Sequence, residues 1–276
     1  MEQILKTMLE NVRAKTPLVH NITNYVTVND VANVLLAAGG SPIMSDDADD
    51  VEDITSICGG LNINIGTLNK NTIPSMFLAG RKANALGHIV LLDPVGAGAS
   101  RLRTDTANRL MREVRFDAVR GNISEIKTLC TGSGTTKGVD ADAVDAVTEA
   151  NLDDGVALVK AFARQAGCII AVTGAIDLVS DGERCWCIRN GRAEMSRITG
   201  TGCQLSALTT AFLVANPEHK LEAAAAAVCT MGLAGEIAWA NMQPGDGNST
   251  YRNRIIDAIF NMTGDTLEEG AKYELR

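Results

Sequence analysis

The chain has 276 residues, of which 46% are hydrophobic and 21% charged, and its formal net charge is −8. This size and composition predict a globular fold, and because no repeat or break in composition marks a boundary, we expect a single domain over residues 1–276. The acidic balance offers no stripe of lysines and arginines, which argues against a nucleic-acid partner and favours a small molecule.

Three further features concern location. The seven cysteines are odd in number and scattered mostly through apolar runs, so they predict free thiols in a reducing, cytoplasmic compartment. Residues 1–13 alternate charged and apolar side chains at helical spacing, which does not fit a signal peptide. The long apolar stretch 221–239 is interrupted by Glu222 and Glu236 and therefore predicts a core helix, with no membrane partner.

Helices and strands alternate along the chain. Helical spacing predicts helices at 2–14, 25–38, 72–86, 103–114, 140–150, 152–166, 203–214, 221–240 and 249–260. Short apolar runs predict strands near 17–20, 41–45, 61–65, 88–92, 117–120 and 168–174, and a hairpin of 177–180 with 184–189. Residues from 263 onward are expected to form a short tail. This order favours an α/β fold with a mostly parallel sheet between helix layers.

Polar and small residues follow several predicted strands. Asn21 follows the first strand and Met44 lies at the end of the second, where α/β folds place ligand-binding groups. Met44 is suited to contact a ring, although core packing of a methionine and turn chemistry at Asn21 are the alternatives. The acidic run 46–53 is interpreted as a solvated helix start and not as a metal site.

Acidic residues near the middle of the chain predict a magnesium site. Asp93 ends the buried strand 88–92 beside glycines, where a carboxylate is well placed to hold Mg²⁺ or its water. Asn122 and Glu125 are three residues apart in the first turn of a predicted helix and project to one side, near a polyphosphate. The alternative for this pair is a helix cap.

The stretch 199–203, Thr-Gly-Thr-Gly-Cys, opens a long helical pattern. Its two glycines let the backbone turn and aim several N–H groups at one point, where the helix dipole is positive and an anion can bind. Cys203 falls in the first turn, where this field is expected to lower the pKa of the thiol. A tight turn followed by a small buried hydrophobe is the alternative. The glycine-rich segment 131–138 does not match a P-loop and is predicted to be a loop.

Together these motifs resemble the ribokinase-like superfamily and, more closely, the hydroxyethylthiazole kinase family of thiamine salvage. The resemblance runs in order through most of the chain, and it is carried by segments 17–24, 41–44, 61–67, 92–96, 120–125, 172–174 and 199–203. It implies a three-layer α/β/α sandwich and a homotrimer with active sites between subunits. It also implies that ATP, with Mg²⁺, phosphorylates the hydroxyl of 4-methyl-5-(2-hydroxyethyl)thiazole.

The resemblance also assigns roles to single residues. Cys203 would be catalytic, at a position where many superfamily members have an aspartate. The remaining roles are ATP binding for Arg120, Thr173, Asn122 and Gly202, thiazole binding for Met44, Gly200, Asn21 and Gly66, and metal binding for Asp93 and Glu125. The alternatives are a kinase of a pyrimidine or pyridine alcohol, a nucleotide-dependent lyase or dehydratase, and a binding protein without chemistry.

Overall fold

The computed structural model describes residues 3–131 and 146–276. The helices in these ranges are α1 Ile4–Lys15, α2 Val28–Ala38, α3 Val51–Ile57, α4 Thr72–Leu86, α5 Arg101–Glu113, α6 Ile123–Thr131, α7 Leu152–Ala166, α8 Thr201–Ala215, α9 Lys220–Ala240, α10 Asn248–Asn261 and α11 Gly264–Gly270. The strands are β1 Leu18–Ile22, β2 Ser41–Met44, β3 Gly60–Asn64, β4 Ile89–Asp93, β5 Ala118–Asn122, β6 Ile169–Thr173, β7 Asp177–Ser180, β8 Cys185–Ile188 and β9 Tyr273–Leu275.

The described strands form one sheet in the order β2-β1-β3-β4-β5-β6-β7-β8-β9. Pairing is parallel from β2 through β6, and antiparallel from β6 through β9. The mostly parallel sheet and the hairpin of β7 with β8 are therefore confirmed. Because parallel strands share a direction, the carboxyl ends of β1, β3, β4, β5 and β6 meet at one edge.

Helices cover both faces of the sheet. On β4, Leu91 packs into a core with α1, α2, α8, α9 and α10, whereas its neighbours Val90 and Leu92 pack into a second core with α4, α5, α6 and α7. Successive side chains of β4 therefore point to opposite faces of the sheet and pack into two different cores, as expected of a strand buried on both faces. The three-layer α/β/α sandwich is confirmed.

Helix α9 is long and apolar enough to cross a membrane, but 78% of its most apolar 18-residue stretch is buried inside the protein. The helix packs against α8 and α10 and most of its alanines are buried, and small side chains of this kind allow close approach of helices. The prediction of a core helix is confirmed.

Two predictions about elements differ from the structure. The second helix begins at Val28 and not at 25, because residues 25–27 form a turn in which the Asn24 side chain accepts a hydrogen bond from the N–H of Thr27. The expected tail after 263 is wrong: Thr263 caps α11, and β9 adds to the edge of β8. Most of the loop 131–138 and of the predicted helix 140–150 lies outside the described residues.

Candidate active site

The site lies where the parallel strands end. The strand register places Asn64 beside Asp93 and Asn122 beside Thr173, so polar residues from four strands line up along one edge. Helix α8 begins at the same edge, since Gly202 lies against the guanidinium of Arg120. The predicted convergence of these motifs on one place is therefore found in the structure.

A chain of asparagine hydrogen bonds connects the turn after β1 to Asp93 at the end of β4. The Asn24 amide nitrogen donates to Asn64 Oδ1 at 3.0 Å and to Cys203 Sγ at 3.2 Å. Asn64 in turn donates to Asp93 Oδ2 at 2.7 Å. Sequence reasoning missed Asn24 and Asn64, although the two asparagines at 62 and 64, which alternate with apolar residues in the predicted strand 61–65, were a signal that could have found Asn64.

Asp93 is fully buried. Its Oδ2 accepts from Asn64 and, at 2.8 Å, from the hydroxyl of Ser206, a second residue that sequence reasoning missed. Its Oδ1 has no hydrogen-bond partner in the described protein and faces Arg120 Nη1 at 3.8 Å. Burial raises the pKa of Asp93 despite the nearby guanidinium.

Asn122 and Glu125 form a reciprocal cap at the start of α6. The N–H of Asn122 donates to Glu125 Oε2 at 2.8 Å, and the N–H of Glu125 donates to Asn122 Oδ1 at 2.9 Å. The N–H of Gly96 donates to the other carboxylate oxygen of Glu125, Oε1, at 2.7 Å. Burial, with the negative charge of Asp93 adding to it, raises the pKa of Glu125 to about 7. The capping alternative is thus present in the structure, and the metal role of Glu125 stays a prediction.

The predicted ATP-binding residues lie together. Arg120 Nη2 donates to Thr173 Oγ1 at 2.5 Å. A Cβ atom added to Gly202 would lie 2.5 Å from Arg120 Nη1, so a side chain there would displace the guanidinium from its contact with the first turn of α8. Asp177 lies nearby, with its carboxylate accepting from the N–H of Gly174 at 2.8 Å. Burial raises the pKa of Asp177 to about 7.

Gly200 precedes α8 in the left-handed region, with φ at 88°. A Cβ atom there would lie 2.2 Å from Thr27 Cγ2, so the position requires glycine for both conformation and space. Cys203 lies in the first turn as predicted, and is only 9% exposed. The expected lowering of its pKa is wrong. Burial raises the pKa of the thiol, helped by Asp93, and outweighs the hydrogen bonds from Asn64 and Asn24.

A cavity of about 170 Å³ opens beside the ends of β1, β2 and β3. It contains two of the predicted thiazole-binding residues, Asn21 and Met44, and also Asn64 and Met76. Gly66 comes directly before the lining residue Thr67, and a Cβ atom at Gly66 would crowd Asn64 Oδ1 at 2.9 Å. Gly200 is not part of the lining. The full lining of this cavity is Asn21, Thr23, Tyr25, Val28, Met44, Ser45, Asp46, Asn64, Thr67, Asn69, Thr72 and Met76.

Metal binding by side chains alone has little support. Within residues 3–131 and 146–276, no group of three or more His, Cys, Asp or Glu side chains is placed to hold a metal. Mg²⁺ commonly needs only one or two carboxylates, because waters and substrate phosphates complete its coordination. The Asp93 Oδ1 atom, buried and without a hydrogen bond, suits that arrangement, whereas each Glu125 oxygen already accepts a backbone N–H.

A family model and sequence relatives agree on the family to which this chain is similar. The family model described as hydroxyethylthiazole kinase matches residues 9–265. A hydroxyethylthiazole kinase of Clostridium acetobutylicum is 58% identical, over 98% of this chain and 99% of its own length. One of Desulfovibrio desulfuricans is 46% identical, over 96% and 95%.

A comparison with solved structures gives the same family. The hydroxyethylthiazole kinase structure of Pyrococcus horikoshii superposes with a TM-score of 0.88 at 33% identity, covering 99% of both chains. A pyridoxal kinase of Staphylococcus aureus, at 14% identity, covers 94% of this chain and 98% of its own with a TM-score of 0.58, and so shares the fold alone. The match of the family model to residues 9–265, with relatives up to 58% identical over nearly the whole length, shows that this chain belongs to the hydroxyethylthiazole kinase family.

Proposed function

We propose that this chain transfers the γ-phosphoryl group of ATP to the hydroxyl of 4-methyl-5-(2-hydroxyethyl)thiazole, in the salvage of thiamine. The observation that supports this most directly is the position of one small cavity beside a group of buried charges. Asn64 belongs to both, since it lines the cavity and donates to Asp93 at 2.7 Å. An alcohol in the cavity would therefore lie next to groups suited to handle phosphate.

The cavity suits a small, neutral heteroaromatic ring. Its lining combines the thioethers of Met44 and Met76 with neutral amides and hydroxyls, and the one carboxylate in it, Asp46, precedes α3. Polarizable sulfur packs well against aromatic rings. Asn21, Met44 and Gly66 would bind the thiazole, with Gly200 shaping the far side of the site.

The phosphates of ATP would lie at the start of α8. This helix is 15 residues long and begins with the backbone of Gly200, Thr201 and Gly202, so its first N–H groups and its dipole attract anions. Arg120 and Thr173, with the amide of Asn122, would complete the contacts. Phosphoryl transfer depends mainly on positioning and on neutralising charge on the transferred group, which donors held in this way can supply.

Asp93 is the residue best suited to hold Mg²⁺, with Glu125 beside it. Bound Mg²⁺ neutralises charge on the phosphates. The chain's own contribution is to keep Asp93 Oδ1 available, since Asn64 and Ser206 both bind the other oxygen.

Cys203 has a different role from that of a strong base. A thiol whose pKa is raised stays protonated near neutral pH and accepts a proton poorly. The Asn24 amide donates a hydrogen bond to the sulfur of Cys203 at 3.2 Å. Cys203 would therefore contact and orient the substrate hydroxyl, and contribute only weakly to removing its proton.

The chain would act as a single kinase domain in a cytoplasmic homotrimer. Tyr25, which lines the cavity, is 79% exposed and its neighbour Val26 is 55% exposed. A second subunit packing there would cover apolar surface and close the cavity. All seven cysteines, which lie in the described ranges, are free thiols, as suits a reducing compartment.

The test is ADP release from ATP and Mg²⁺, with and without the thiazole, followed by mass spectrometry of the product. We expect thiazole-dependent release and a product heavier by one phosphoryl group. Product from a pyrimidine or pyridine alcohol but not from the thiazole would contradict the proposed substrate. No product from any of these alcohols would contradict the proposed catalysis and favour a binding protein.

A further inference from the structure

Arg103 connects two turns of the site. It lies in the first turn of α5, and its Nη2 donates to the carbonyl of Gly66 at 2.7 Å, in the turn after β3. Its Nη1 donates to the carbonyl of Val95 at 3.3 Å, in the turn after β4. One guanidinium therefore joins two segments that are separate in the sequence.

Each of these turns belongs to a different part of the site. The N–H of Gly66 donates to Asn64 Oδ1 at 2.9 Å, and Gly66 precedes Thr67, which lines the cavity. The second turn continues into Gly96, whose N–H donates to Glu125 at 2.7 Å. Arg103 thus spans from the cavity wall to the carboxylates.

The contact with the second turn is close. Gly96 has φ at 73°, and a Cβ atom there would lie 2.2 Å from Arg103 Nη1. The guanidinium therefore rests directly on the backbone of Gly96, which no other residue type would permit. A planar group with several fixed donors can bind two carbonyls in one orientation, which a lysine ammonium cannot do.

The charge of Arg103 is not used in an ion pair with the described residues, because all its side-chain hydrogen bonds there go to carbonyls. Arg101, on the same helix, is the contrast: its side chain is 94% exposed and pairs with Asp105 at 3.3 Å. Hydrogen bonds from a charged donor to backbone carbonyls are stronger than neutral ones and hold the backbone firmly.

We propose that Arg103 is a positioning residue that fixes the thiazole cavity relative to the phosphate-handling groups. The inference rests on the proposed function. Without Arg103, the turn containing Gly66 would shift relative to that containing Gly96, so the alcohol would be held out of line with the phosphoryl group. Displacements of about 1 Å lower turnover by about 10²-fold in other enzymes. ATP binding would change little, because Arg120 and Thr173 lie on β5 and β6.

The experiment compares Arg103→Ala, Arg103→Lys and the control Arg101→Ala with wild type, measuring kcat and KM for each substrate together with Tm. For Arg103→Ala we expect kcat/KM for the thiazole to fall about 10²-fold while KM for ATP is unchanged. Arg103→Lys should show a smaller loss of the same kind, and it serves as the test if the alanine variant does not fold. Arg101→Ala should match wild type.

Two results would overturn the inference. One is an Arg103 variant with the kinetics of Arg101→Ala. The other is a clearly raised KM for ATP together with a large fall in Tm, which would indicate a general structural role. Inactivity of the wild type toward the thiazole is a separate result, since it would reject the proposed function itself, and this inference with it.

Discussion

The two halves of the site are built from different chemistry. The half at the ends of β1 and β3 is neutral, and its asparagines bind one another: Asn62 donates to Asn21 at 3.1 Å, and Asn24 to Asn64 at 3.0 Å. The half at the ends of β4, β5 and β6 is charged. There one guanidinium, Arg120, is the cation that acts on the pKa of Asp93, Glu125 and Asp177.

This difference indicates what each half needs from its ligand. Amide groups that donate to one another can form a rigid wall without a bound molecule, and in this half only the Asn62 Oδ1 atom, among the asparagines of the described residues, is buried without a hydrogen-bond partner. Asp93, Glu125 and Asp177 share one nearby cation, Arg120. Burial destabilises the charged forms of these acids, and one guanidinium does not offset this, so the pKa values of Glu125 and Asp177 rise to about 7. The neutral half is therefore preorganised for a ring, whereas the charged half is suited to a ligand that brings Mg²⁺.

The largest effect should come from Gly200→Val, which affects both halves at once. A side chain there meets Thr27 on the neutral side and distorts the start of α8 on the charged side. We expect turnover to fall below detection in the ADP-release assay. The control is Gly87→Ala, because Gly87 has a similar φ of 72° but open space around it, far from the site. Normal kcat in Gly200→Val would reject the role of this backbone in binding phosphate.

Arg120→Lys tests the charged half alone. Lysine keeps the positive charge but cannot contact Thr173 and face Asp93 with one planar group. Loss of one fixed donor to developing charge typically costs about 10²–10³-fold in kcat. We expect a loss of this size with a raised KM for ATP and an unchanged KM for the thiazole. An unchanged KM for ATP would show that Arg120 does not contact the nucleotide.

The charged half was easier to predict from the sequence than the neutral one. Asp93 and the Gly-Thr-Gly-Cys stretch stand out, because an acid at the end of an apolar strand and two glycines before a helix are local patterns that can be recognised without knowing the fold. Asn24 and Asn64 were missed because their importance lies in contacts between strands, which depend on register and not on local pattern. The field at a helix start predicted a lowered pKa for Cys203, but burial depends on the three-dimensional packing and reversed the sign.

For the fold too, elements with a local sequence pattern were predicted and elements that depend on tertiary contacts were missed. Apolar runs and helical spacing located most helices and the parallel strands, because each pattern is local. The C-terminal elements were missed for a reason that is tertiary: α11 is only 7 residues long with glycine at both ends, and β9 exists as a strand because β8 offers an edge to pair with.

A smaller effect is expected from Cys203→Ala, at the boundary between the halves. Because the thiol is held protonated, removing it takes away one contact to the hydroxyl and little basicity. We expect kcat to fall by less than about 10²-fold, below the range of a full general base, with KM for ATP unchanged. The measurement is single-turnover product formation. Complete loss of activity with normal folding and ATP binding would make Cys203 indispensable and reject the weak role argued for it.

The smallest effect on activity is expected from Asp177→Asn, which should change the free energy of unfolding and leave turnover unchanged. An acid whose folded pKa is raised to about 7 keeps its proton where the unfolded chain has lost it, so wild type loses stability as pH rises from about 4 to 7. Asparagine can still accept from Gly174 but does not titrate. We expect the variant to match wild type near pH 4 and to be more stable above pH 7, by about 1–2 kcal/mol since the residue is half-buried.

Urea unfolding at several pH values measures this difference, and Asp181→Asn supplies a contrast of opposite sign. At Asp181, burial acts to raise the pKa but is outweighed by the N–H groups of Arg184 and Glu183 and by the Arg184 side chain, so the pKa is lowered. Wild type should therefore gain stability over Asp181→Asn as pH rises through the acid range. If Asp177→Asn followed wild type with the same slope while Asp181→Asn did not, the carboxyl of Asp177 would be solvated, and the shortage of positive charge argued for this half would be confined to Asp93 and Glu125.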